Sequence, residues 1–133
     1  MSTLRCTNLQ DTSGGNSLTT AQIYNGAAKA WINLNASSGT PTARASYNIS
    51  SITDDAVGKF TLNFTTAFSD ANYSVLGTTG CTGSTSSTGF LGPNLSSTTT
   101  YQSKTTTGIS MSLLSGNNTA FLDHFDVNIA IYR

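Results

Sequence analysis

Gly58-Lys59-Phe60-Thr61-Leu62-Asn63-Phe64 places Phe60, Leu62 and Phe64 on one side of an extended chain and Lys59, Thr61 and Asn63 on the other. An apolar row at period two is the signature of a strand with one face in a core and one in water. The same alternation recurs on either side. Upstream, Ala28-Lys29-Ala30-Trp31-Ile32-Asn33-Leu34-Asn35 contains the only Trp and predicts a strand over 29–35, stopped by Ala36-Ser37-Ser38-Gly39-Thr40-Pro41. A further strand over 43–53 carries Tyr47 and Ile49 on one face, and a bulge near Ser50-Ser51 is needed to bring Ile52 back to that face. Asp54 and Asp55 read as turn residues of the hairpin that leads into Phe60, with Gly58 supplying any positive φ.

Downstream, a strand over 73–78 is followed by Gly80-Cys81-Thr82-Gly83-Ser84-Thr85-Ser86-Ser87-Thr88-Gly89, a loop of small residues expected on the surface. Ile109, Met111 and Leu113 share a face of a strand over 106–114, and Ser115-Gly116-Asn117-Asn118 reads as a turn. The last strand, over 121–132, aligns Phe125, Val127, Ile129 and Ile131, with Asp126, Asn128, Ala130 and Tyr132 opposite. So apolar a strand must be covered by its own sheet or by another subunit. Together these segments predict an all-β domain, an antiparallel β-sandwich or jelly roll over 26–133, with Phe60, Leu62, Phe64, Tyr73, Val75, Val127, Ile129 and Ile131 in one core. Residues 1–25 show no sustained period and read as an extended N-terminal arm. Within it 20–25 could form one helical turn, with Thr20 as the N-cap.

Composition narrows the function. The 133 residues carry six Lys and Arg against six Asp and no Glu, while Ser and Thr make up roughly a third of the chain. A neutral chain with so few cations has no means of gripping a phosphate backbone, so nucleic acid is excluded as a partner. No apolar run is long enough for a bilayer and no basic, then apolar, leader is present, so synthesis in the cytoplasm is expected and no membrane partner is. Cys6 and Cys81 read as two free thiols.

Catalysis needs a constellation that these residues do not supply. His124 is the only histidine; it would share a strand face with Asp126, but no second His, Glu or Cys stands at ligand spacing, and a hydrogen-bonded histidine at a sheet edge or subunit contact is the simpler reading. There is no Gly-X-Ser-X-Gly elbow, and Asp54-Asp55 lacks a third oxygen ligand at calcium-loop spacing. The chain is therefore expected to be no enzyme and to carry no cofactor or metal.

The segments 28–35, 44–54, 60–64 and 70–73, with Ser2-Thr3-Leu4 and Gln10-Asp11-Thr12-Ser13-Gly14, together resemble a module of small virion structural proteins of tailed bacteriophages, particularly phages of cyanobacteria and other aquatic bacteria. The resemblance extends to about Gly77, a little over half the chain. It implies a virion location, a homotrimer, and one of two roles. The first is a capsid decoration, or cement, protein that binds the major capsid protein. The second is a tail-fibre or receptor-binding tip that recognises a host surface glycan, with Tyr101 as a candidate aromatic contact. The absence of heptads and solenoid repeats favours the first. In that reading Leu4, Leu9, Leu18 and Ile23 dock the arm on its partner, Arg5 and Asp11 add polar contacts, and Trp31 with the C-terminal strand supplies the subunit contact.

Overall fold

The computed structural model describes residues 5–15, 17–37, 39–80, 90–95, 101–102, 104–114 and 120–133. The loop at 81–89 with Cys81, the turn at 115–118, the Tyr101 side chain and Leu4 lie outside the described residues. The N-terminal segment carries a small hairpin of β1 (Asn8–Gln10) and β2 (Ser17–Thr19), then the seven-residue helix α1 (Thr20–Gly26). The body comprises β3 (Ala30–Asn35), β4 (Thr42–Tyr47), β5 (Ile49–Ala56), β6 (Lys59–Phe64), β7 (Ser74–Gly80), β8 (Phe90–Leu95), β9 (Tyr101–Gln102), β10 (Gly108–Leu114) and β11 (Asp126–Tyr132). These form a four-stranded sheet in the order β4-β3-β11-β7 and a five-stranded sheet in the order β5-β6-β10-β8-β9, with every pairing antiparallel.

The two sheets close face to face on the apolar rows that the alternation predicts. Ala30, Ile32 and Leu34 of β3 and Val127, Ile129 and Ile131 of β11 meet Phe60, Leu62 and Phe64 of β6 and Ile109, Met111 and Leu113 of β10 in one buried cluster. Each large side chain so buried stabilises by roughly 1.5 to 3 kcal/mol, which makes this cluster the main source of stability. Tyr73 plugs one end. Its ring lies 5.8 Å from that of Phe64 and 5.0 Å from that of Phe68, and its hydroxyl sits 3.0 Å from the Gly108 carbonyl and 3.1 Å from that of Thr105, donating between them. Burial pushes this hydroxyl up to about 12, so it stays a donor. Val75 packs at the margin, half-buried rather than within the core.

The segment 43–53 is not one strand. Asn48 adopts φ 57°, a left-handed conformation that few residues besides Gly and Asn accept, and there the chain leaves β4 in one sheet and enters β5 in the other. Asn48 holds the crossing with its side chain: Nδ2 donates to the Lys29 carbonyl (3.1 Å) and the Thr66 carbonyl (3.2 Å), while Oδ1 accepts from the Thr66 amide (2.7 Å). The crossing corrects the expected facing of Tyr47, which is exposed, whereas Ile49 turns towards the core. The bulge near Ser50 is present: β5 pairs Ile49 with Phe64 and Ser51 with Asn63, leaving Ser50 over, and Ile52 packs against the core.

Three further expectations need correction. Asp54 and Asp55 belong to β5, and the turn is Val57-Gly58, with Gly58 at φ +64°. A Cβ there would stand 2.6 Å from the Leu122 amide nitrogen and 2.8 Å from the Leu113 carbonyl, so no larger residue fits without rearrangement. Phe125 precedes β11 and lies on the surface beneath the Arg44 guanidinium, 4.6 Å from the ring centre, because the chain at 122–125 is irregular and breaks the alternation. For the same reason His124 shares no strand face with Asp126 and is wholly buried in its own chain, not placed at an edge.

Replacing Asn48 by Ala forces a Cβ-bearing residue without the side-chain bonds into the left-handed region. We expect a loss of about 3 kcal/mol in urea unfolding, and Asn48→Gly should recover about 1 kcal/mol of it by relieving the backbone alone. Equal stability of the two variants would show that backbone strain contributes nothing at the crossing.

Candidate binding face

The arm residues singled out from the sequence are placed unevenly. Arg5 is exposed; Leu9 and Leu18 face each other across the β1–β2 pair, 51% and 53% exposed. The Asp11 Oδ1 atom accepts from the Ser13 amide (3.1 Å) and the Gly15 amide (3.0 Å), so it organises the hairpin loop. Helix α1 is capped by Thr19, one residue earlier than expected: its hydroxyl accepts from the Gln22 amide (3.1 Å) and its amide donates to Gln22 Oε1 (2.8 Å). No residue of α1 is buried, and Ile23 and Tyr24 are exposed, Tyr24 lying against the Lys29 ammonium, 3.6 Å from the ring centre. The arm thus holds local structure without a core of its own.

Trp31 points outward from the four-stranded sheet, 40% exposed. The pairing of β4, β3, β11 and β7 sets Tyr47, Trp31, Ala130 and Leu76 in one row across the outer face, with Tyr47 58% and Leu76 61% exposed. Ala130 is the small residue between two large ones, so Trp31 and Leu76 become the walls of a groove of about 550 Å³ with Ala130 in its floor. The next row is polar: Ala45, Asn33, Asn128 and Thr78. Asn33 Nδ2 donates to Asn128 Oδ1 (2.7 Å) and to Asp126 Oδ1 (2.8 Å), and Asn128 Nδ2 donates to Asp126 Oδ2 (3.2 Å).

Arg44 completes this network through an irregularity in pairing. Asn33 pairs with Ala45 and Leu34 with Ala43, which leaves Arg44 as an extra residue in β4. Its guanidinium reaches Asp126 Oδ1 (3.1 Å) and the Phe125 carbonyl (2.7 Å). Both partners are solvent-accessible, so the ion pair orients the amides more than it stabilises the fold. Among the described residues no charged one lines the groove itself. The sequence pointed to Trp31 and the C-terminal strand, and alternation alone puts Asn33 on the Trp31 face; Tyr47 and Leu76 join them only through strand order, of which alternation carries no record.

A smaller hollow of about 370 Å³ is lined by Asp54, Asp55 and Asp123. Two of these carboxylates serve the fold: Asp123 Oδ1 accepts from the Gly58 amide (2.7 Å) and Asp55 Oδ2 from the Thr61 hydroxyl (2.7 Å). Among the described residues no group of three or more His, Cys, Asp or Glu is disposed to hold a metal ion. Compared with known protein families, curated proteins and solved structures, the chain matches none.

His124 ties the stretch before β11 to the sandwich, its carbonyl accepting from the Ala36 amide at 2.9 Å. Burial lowers the imidazole's proton affinity below the ordinary histidine value, opposed in part by its bond to the Leu114 backbone and by the Asp123 charge. The unfolded chain therefore binds a proton at a higher pH than the folded one. Stability is complete above the unfolded value of 6.5 and is lost as pH falls from there towards the lowered folded value. Urea midpoints measured between about pH 7 and pH 5 should decline in the native protein and stay flat over that window in His124→Gln, which keeps a donor but cannot titrate. The same decline in both proteins would exclude His124 as its origin.

Proposed function

We propose that this protein is a non-enzymatic structural component of a bacteriophage virion, a capsid decoration protein that binds the head lattice through residues 1–25 and displays its sandwich outward. The observation that carries the reading is the arm. Leu9, Leu18, Ile23 and Tyr24 stay exposed in their own chain, and holding such a segment in one conformation costs about 1 to 2 kcal/mol per residue, which a further surface would offset. Near-zero net charge and few charged groups suit close packing among neighbouring copies. The phage setting rests on the resemblance of residues up to about Gly77 to virion modules. The resemblance implies a homotrimer, for which Trp31 and the C-terminal strand are the subunit contact read from the sequence. Strand β11 needs no cover from a neighbour, because β3 and β7 pair with its two edges and its apolar row lies in the core.

A tail-fibre or receptor-binding tip is the second reading, favoured by the exposed row of Tyr47, Trp31 and Leu76 on the outer face of the sandwich. Counting the protein against the major capsid protein in purified virions separates the two: a number commensurate with the lattice marks a decoration protein, a small fraction of it a fibre. Deleting residues 1–25 should cost the sandwich less than about 1 kcal/mol, since the described arm buries nothing in it, and should abolish attachment to particles. Full occupancy by the truncated protein would move the attachment surface to the sandwich.

A further inference from the structure

We propose that the groove between Trp31 and Leu76 binds a neutral saccharide, a site that deepens the reading of the sandwich as the displayed part of a virion protein and rests on it for its biological setting. Three features of the face select this chemistry. Trp31 and its cross-strand neighbour Tyr47 offer flat aromatic surface, on which the C–H face of a pyranose ring packs while its hydroxyls stay at the rim. Beside them lie the Thr78 hydroxyl, the second N–H of Asn128 and the remaining lone pairs of the two amide oxygens, both N–H groups of Asn33 being spent on Asn128 and Asp126. The bonds from Asn33 and Asn128 to Asp126 and from Asp126 to Arg44 fix the amides, so little side-chain freedom is lost on binding. Among the described residues the groove lining holds no charge, which suits a ligand that is itself uncharged.

Size argues for a small ligand over a protein. The groove is shallow and open, so it seats one face of a ring rather than enclosing a ligand. The exposed apolar row is three side chains wide, Tyr47, Trp31 and Leu76. A stable protein interface needs about 800 Å² from each partner, and its centre is normally poor in charge, whereas here the Arg44–Asp126 pair lies just beyond the Asn33–Asn128 row. A second copy of the chain seated on this face would bury that pair for little apolar gain. The floor residue, Ala130, keeps the groove open, since any larger side chain at that position would fill the space between the walls.

Trp31 is the only tryptophan, so its emission reports this face without background. Titrating the full-length protein with neutral hexasaccharides of glucose, galactose, mannose and rhamnose should give a saturable change in emission with at least one of them. Calorimetry with that sugar should show at least a tenfold loss of affinity in Trp31→Ala and in Ala130→Leu, and near-native affinity in Trp31→Phe. Circular dichroism and thermal midpoints serve to confirm that each variant is folded. A uronate-containing counterpart should bind at least tenfold more weakly. No saturable response across the panel, or undiminished binding by folded Ala130→Leu, overturns the site, and equal affinity for the uronate overturns its neutral character. Self-association that depends on Trp31 in sedimentation, without a sugar response, overturns it in favour of a second copy. Particle attachment of Ala130→Leu is measured separately: the native level expected there keeps the virion reading independent of the sugar result.

Discussion

The left-handed turn of the backbone at Asn48 is the constraint on which the arrangement of both sheets depends. It lies between β4 and β5, consecutive strands in different sheets, and its side chain reaches backbone groups of Lys29, just before β3, and Thr66, just after β6. One residue thus fixes the corner that joins the two layers along one side of the sandwich. It also decides what faces water. In an uninterrupted strand Tyr47 and Ile49 would share a face; with the crossing between them, Ile49 packs against the core and Tyr47 takes its place beside Trp31 on the outside. The aromatic surface of the binding face and the closure of the core are therefore two results of one backbone conformation.

The outer faces of the two sheets differ in kind. On the five-stranded sheet, cross-strand bonds join hydroxyls and amides: Thr61 with Ser110 at 2.8 Å, and Asn63 with Ser51 at 3.0 Å and Thr53 at 3.2 Å. Thr-rich strands of this sort combine the backbone preference of a β-branched residue with a polar group that finds a partner on the next strand, which is how the chain stays folded with so few charges. The four-stranded sheet breaks this pattern with Tyr47, Trp31 and Leu76. Among the described residues, large apolar groups stand in water on this face while hydroxyls and amides pair on the other, and this difference is what motivates the binding role proposed for the four-stranded sheet.

What could be read from the sequence follows the same division. Strands β3, β6 and β11 were legible because each buries one face and so alternates strictly; β10 alternates in sequence at Ile109, Met111 and Leu113 although it is buried on both sides, and the apolar rows of all four are found in the core. The bulge at Ser50 was legible because Ile52 fell out of phase. The crossing at Asn48 was not: two strands that each alternate, joined by one residue, look like a single longer strand, and only the φ of Asn48 distinguishes them. Phe125 and His124 were misplaced because alternation was carried past the end of β11 into irregular chain, where Phe125 serves Arg44 and His124 enters the interior. Of the binding face Trp31 and the C-terminal strand could be named, but not that they lie side by side with Tyr47 of β4 and Leu76 of β7, since that adjacency is a property of strand order.

An open groove with one aromatic wall and a few fixed amides makes a weak site, because a shallow surface covers only one side of a sugar and leaves the rest hydrated. In the proposed virion role, with many copies held on one particle, weakness of this order is no obstacle. Once one site is engaged, its neighbours meet the same polymer at an effective concentration set by their spacing, and the combined affinity can exceed that of a single site by roughly 10² to 10⁴. The arm and the face then answer different demands: the arm requires a lasting contact, for which its uncovered Leu9, Leu18 and Ile23 are suited, while the face works better with contacts that are individually brief. A neutral surface also serves this division, since copies that do not repel one another can be placed close enough for their grooves to share one chain of sugars.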